Sequence, residues 1–174
     1  MAQAQEHQGV LANHDPAGST ASTPTRTVRE TAPVALTDQN AIVVGVDGSP
    51  ASDSALAWAC AEARLRASAV VALHVISVPY ELPRVPIEEP TGKLEVQGRQ
   101  VLDEALARAP TEEIEVESRL LEGAPGELLV EASEDAELVV VGTRRHGGLA
   151  SFVLGSVSNT VVHHAHCPVV VVRG

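Results

Sequence analysis

Aromatic side chains are nearly missing from this sequence: one Trp, one Tyr and one Phe in 174 residues, or 2%. Base-stacking platforms for RNA or single-stranded DNA need several exposed rings, so that class of function has little room here. Cationic charge is scarce too. Twelve Lys and Arg stand against 23 Asp and Glu, for a formal charge of −11. Nonspecific nucleic-acid binding and docking on anionic membranes both run on basic patches, and neither is expected. A small anion such as a nucleotide stays open, because local donors override a global charge. No apolar run nears the roughly 18 residues of a transmembrane helix. Met1 to Val10 lacks the apolar stretch of a secretory signal. Two cysteines, Cys60 and Cys167, do not make a disulfide scaffold and read as reduced small hydrophobes. The expectation is an acidic, soluble, cytoplasmic protein.

What is present is globular: 44% hydrophobic and 20% charged residues. Residues 1–40 are rich in Ala, Ser, Thr, Gln and Pro and show no apolar periodicity. Their four acidic and two basic residues contribute −2 of the charge and leave −9 to the remainder. This segment reads as a disordered tail. From Ala41 the pattern changes. Ile42–Val46, Val70–Val78, Leu138–Val141 and Val169–Val172 are β-branched and nearly unbroken, as strands buried on both faces are. Ile114, Val116 and Leu120 alternate with polar residues, which suggests a strand near a wetter edge.

Helical patterns lie between the strands. Ser49 with Pro50 gives an N-cap followed by proline in the first turn. Leu56, Ala59, Cys60, Ala63 and Ala67 then share one face. Val101, Leu102, Ala105, Leu106 and Ala109 form a second stripe. Pro125 opens a shorter helix, and Ser156 to Ala165 forms the last, ending before Pro168. The alternation predicts an α/β domain over 41–174: a doubly wound, five-stranded parallel sheet with helices on both faces.

Ligands of such sheets bind beyond the carboxyl ends of the strands, where strand order reverses. Two loops there are unusual. One is Gly45-Val-Asp-Gly-Ser49. The other runs from Gly142 through Thr143, Arg144, Arg145, His146, Gly147 and Gly148 to Gly155 and Ser156. Glycines let backbone amides approach a ligand. Ser156 opens a helix, where free amides and the dipole favour an anion. Asp47 repels phosphate, so it fits ribose or adenine donors, or Mg²⁺ through water. A nucleotide or another phosphorylated ligand is indicated; a glycine after a strand also serves a plain tight turn.

Five blocks carry a family resemblance: Ile42-Val-Val-Gly-Val-Asp-Gly-Ser49, Leu73-His-Val-Ile76, Val139-Val-Val-Gly142, Leu154-Gly-Ser-Val-Ser158 and His166-Cys-Pro-Val-Val-Val-Val172. In that order they resemble the universal stress protein domain. The resemblance covers 41–174 and leaves the tail unexplained. It implies a Rossmann-like sheet in the order 3-2-1-4-5, counted within the domain, with the first and fourth strands together at the switch point. It also implies a homodimer through the last strand, Pro168 to Val172. ATP-binding members share Gly, two residues, Gly, nine residues and then Gly-Ser or Gly-Thr. Gly142, Gly155 and Ser156 match; the second glycine is Arg145. Arg145 either obstructs the phosphates or becomes a ligand to them. By resemblance, Gly45 and Asp47 line the adenosine side and Val75 meets adenine through its backbone. Gly142, Thr143, Arg144, Arg145, Gly147, Gly148, Gly155, Ser156 and Val157 would hold ribose and phosphates. The ligand implied is ATP, with or without Mg²⁺.

The remaining features read plainly. His163, His164, His166 and Cys167 match no common zinc spacing and suit a helix C-terminus. His74 reads as a hydrogen-bonded core residue beside the site wall. Pro79 to Pro90 reads as a loop, either lid or connection. Gly-x-Ser-x-Gly, Gly-x-Gly-x-x-Gly and His-Glu-x-x-His are missing. Hydrolysis needs a positioned water and a base, and Asp47 is the one evident carboxylate of the expected pocket. The sequence reading is therefore a nucleotide-binding stress-response or regulatory protein, not an enzyme, with its regulatory partner unknown. Two alternatives stand beside it: an interaction module of the same fold without nucleotide, favoured by Arg145, and a slow nucleotide hydrolase.

Overall fold

Unbroken runs of valine and isoleucine are stable as strands when both faces of a sheet are covered. The computed structural model, which describes residues 26–28, 36, 40–77, 91–143 and 154–174, uses them that way. Its elements are β1 (Arg26–Val28), β2 (Ile42–Gly45), α1 (Pro50–Arg66), β3 (Val70–Ile76) and α2 (Thr91–Arg108). They continue with β4 (Val116–Glu122), α3 (Pro125–Ala132), β5 (Leu138–Gly142), α4 (Ser156–His164) and β6 (Val169–Val172). The sheet order is β1-β4-β3-β2-β5-β6, and every pair is parallel. Within the domain, from β2 on, this is the expected 3-2-1-4-5. Order reverses between β2 and β5, which pair from Ile42 opposite Leu138 to Val44 opposite Val140.

Successive side chains divide the core into two layers. Ile42, Val44, Val70, Ala72 and Val140 pack with Leu56, Ala59, Cys60 and Leu102 under α1 and α2. Val43, Val71, Val139 and Val141 pack with Leu129 and Val161 under α3 and α4. Fully buried side chains of this kind each contribute about 1.5–3 kcal/mol. The half-buried Trp58 leans against the first layer from α1. Among the described residues, no helix is long and apolar enough to cross a membrane.

The helix signals are realised locally. Ser49 caps α1, its Oγ accepting from Ser52 N at 3.2 Å. Ala67 departs from the expected buried stripe: it is exposed, with φ 56°, as the left-handed C-cap of α1. The helix ends there because the chain must turn into β3. β4 is half-buried apart from Leu120 and the exposed Glu122, as an edge-type pattern requires.

A further departure concerns residues 1–40. Arg26–Val28 adds a sixth strand, Arg26 opposite Ser118 and Val28 opposite Leu120, where disorder was expected. Leu36 packs against the second layer. An open β4 edge would present unpaired backbone groups, and a short strand satisfies them.

At the opposite end of the strands from the switch-point loops, one ion network joins α1 to β5. Arg66 reaches Glu62 and Glu137, each at 2.6 Å, and Ser68 Oγ donates to the second Glu137 oxygen at 2.7 Å. The Arg66 guanidinium, and then the Ser68 hydroxyl, hold the Glu137 carboxyl below its ordinary range. A carboxylate so depressed favours the folded state at neutral pH. That contribution is lost as acidification passes through the lowered folded value. In denaturation midpoints measured against pH, Glu137→Gln is expected to narrow the gap between neutral and acid stability. An identical pH slope in both proteins would remove this network from the acid response.

Candidate functional site

The carboxyl ends of β2, β3 and β5 open into a cavity of about 570 Å³. The short β2 contributes Gly45 and the loop behind it contributes Asp47 and Ser49. β3 contributes His74 and Val75, and β5 contributes Gly142 with Thr143. Gly155, Ser156 and Val157 close the wall from the start of α4. Eight of the twelve residues expected from sequence thus share one cavity. Arg144, Arg145, Gly147 and Gly148 lie outside the described residues.

The first turns of three helices reach the same space: Pro50 to Ser52 of α1, Pro125 of α3, and Ser156 to Ser158 of α4. Each helix start presents amides without an intrahelical partner and the positive end of its dipole. Negative charge on a ligand is therefore favoured without a formal cation. Asp47 opposes this on one side. Its Oδ1 accepts from Ser49 N at 3.0 Å, which turns the chain into α1. Two of the hydroxyls are spent on the scaffold: Ser52 Oγ donates to Ser49 O at 2.9 Å and Ser158 Oγ to Gly155 O at 3.1 Å. Ser156 is exposed at the mouth of α4.

Close packing fixes the floor. A Cβ on Gly142 would stand 2.7 Å from both the carbonyl carbon and oxygen of Ala51. Only glycine lets the end of β5 touch the first turn of α1 so closely. Thr143 N donates to Val172 O at 2.8 Å and ties the departing loop to β6.

Sequence reasoning missed the contributions of Ser52, Pro125, Leu129 and Ser158 to this wall. They come from helices far apart in sequence, and only the shared strand edge unites them. A helix-opening proline at 125 was the one available signal. His74 is half-buried with Nδ1 2.7 Å from Val46 O, a bonded residue at the site wall as expected.

The histidine cluster is spread out. His163 and His164 are exposed in the last turn of α4, and His166 Nε2 lies 3.8 Å from Glu134 Oε1. Among the described residues, no group of three His, Cys, Asp or Glu is arranged to hold a metal. Burial raises the pKa of both the Cys60 and Cys167 thiols, which leaves them poor nucleophiles at neutral pH.

Comparison with known proteins agrees with this architecture. The model of the universal stress protein family matches residues 40–173. Universal stress protein Rv2005c of Mycobacterium tuberculosis is 37% identical over 142 residues, covering 78% of this chain and 48% of its own length. The chain thus spans about half of that relative. A universal stress protein from Archaeoglobus fulgidus, solved in complex with dAMP, superposes with a TM-score of 0.58. The two are 27% identical, over 76% of this chain and 97% of that one. A universal stress protein solved in complex with cAMP gives a TM-score of 0.60 at 26% identity, over 76% of this chain and 96% of the other. Strand order, glycine positions and family match converge: the chain belongs to the universal stress protein family.

Proposed function

We propose that the cavity binds an adenine nucleotide, ATP foremost, and that the protein acts through this binding in a stress-response or regulatory role. The observation that carries the reading is the meeting of three helix starts with Gly142 and Gly155 around one cavity at the switch point. Solved relatives bound to dAMP and cAMP support the adenine and sugar part of it. Asp47 serves the sugar hydroxyls, Val75 the base, and the start of α4 the phosphates. The role is binding rather than turnover. Among the described lining residues Asp47 is the one side-chain carboxylate, and an oxygen of it already accepts from Ser49 N. The half-buried edge strand β6 is the surface we assign to a homodimer.

The test is nucleotide content. Protein purified without added nucleotide is denatured and the supernatant resolved by ion-exchange chromatography, then stripped protein is titrated with MgATP. Adenine nucleotide near one per chain is expected. Saturation at about 100 times the dissociation constant should add about 2.7 kcal/mol to unfolding stability. Arg145, in place of the second motif glycine, favours a second reading: an interaction module of this fold that holds no nucleotide. An empty protein with no titration heat and no stability gain would establish it. Multiple turnovers that vanish in Asp47→Ala would instead indicate a hydrolase.

A further inference from the structure

The β2–β3 ladder ends early. Its last pair is Gly45 opposite Leu73, whereas β3 keeps pairing with β4 as far as Ile76 opposite Glu122. Val46 N still donates to Leu73 O at 2.9 Å. Past that point the Val46 carbonyl takes a side chain: His74 Nδ1 lies 2.7 Å from it. A carbonyl oxygen only accepts, so the proton sits on Nδ1.

The ring is held from its other side as well. Gly98 of α2 is buried, and a Cβ there would stand 3.1 Å from His74 Cδ2 and 2.6 Å from Leu120 Cδ1. A glycine at this place lets α2 seat directly on the imidazole. Val46 in turn precedes Asp47, whose carboxylate accepts from Ser49 N, and Ser49 caps α1. One imidazole therefore links α2, the end of β2 and the first turn of α1 along the cavity wall.

The geometry points to His74 as a positioning residue of this cavity. Its Nδ1–H holds the Val46 carbonyl outside the ladder, parts β2 from β3 at the cavity mouth, and fixes the loop that presents Asp47. The inference deepens the nucleotide-site reading and rests on it.

The experiment compares the wild type with His74→Asn, whose side-chain amide places an N–H where Nδ1 stood, and His74→Leu, which has no donor. Two readouts need no ligand. Nitrogen-15 NMR of the wild-type ring should show a proton on Nδ1. Amide hydrogen exchange at Ser49 and Ser52 should speed up in the leucine variant and stay near wild type in the asparagine variant. The third readout is MgATP affinity, which should fall about tenfold in the leucine variant and recover with asparagine. A ring protonated on Nε2 alone overturns the proposal, as does equal Ser49 and Ser52 exchange in all three proteins. If the leucine variant does not fold, the wild-type ring spectrum and the asparagine exchange still decide. A wild type that binds no adenine nucleotide overturns the nucleotide reading, while the two ligand-free readouts go on to judge His74 itself.

Discussion

Gly155→Glu is expected to weaken MgATP binding by more than about a hundredfold while leaving the fold intact. Gly155 is the N-cap of α4, with φ −63° and ψ 163°, an extended conformation open to any residue. No backbone strain opposes the substitution. A carboxylate at a helix N-terminus interacts favourably with the dipole, so the ligand-free protein should unfold at the same temperature or slightly higher. The same carboxylate would occupy the space and the field assigned to phosphate. Titration calorimetry on stripped protein, paired with a thermal scan, separates the two effects. Wild-type affinity in this variant would remove the start of α4 from the site.

Gly142→Val should be the most damaging substitution to stability. The atoms that a Cβ would strike, at 2.7 Å, are backbone atoms of Ala51, and a third contact at 3.0 Å is the Ala51 Cβ. A flexible side chain could swing aside; the first turn of α1 and a central strand cannot move independently. Overpacking of this kind costs about 3 kcal/mol, and the added γ-methyls push toward the upper end. The denaturation midpoint in urea should fall accordingly, and Gly142→Ala should fall less. An unchanged midpoint would mean that the start of α1 is free to shift away from β5.

The central strands were legible because valine and isoleucine leave few other options. Val43 and Val139 lie in runs that are apolar at every position, which only a doubly covered sheet accommodates. The start of α1 was legible from Ser49 and Pro50, whose capping chemistry is local; its end at Ala67 was not, because alanine continues the apolar stripe. The first ten residues of α2 were not, because Gly92, Lys93 and Gly98 give no apolar stripe and no cap. That turn is helical through its packing on β3 and β4, with Gly98 chosen for closeness rather than propensity. Arg26–Val28 was equally silent: three residues carry no periodicity, and their strand exists through the β4 edge. In the site, Gly45, Asp47, Gly142 and Gly155 were visible as odd residues in strand-end loops. Ser52, Leu129 and Ser158 look like ordinary helix residues until the sheet gathers their helices at one edge.

Trp58, the single tryptophan, leans on the core from the helix whose first turn lines the cavity. With one tyrosine besides, the protein absorbs only weakly in the near ultraviolet for its size. Its tryptophan emission comes from one place, so a shift in colour or intensity reports the surroundings of Trp58 on α1. An adenine carried through purification would outshine the polypeptide in absorbance. The first spectrum of a fresh preparation is therefore already an occupancy measurement.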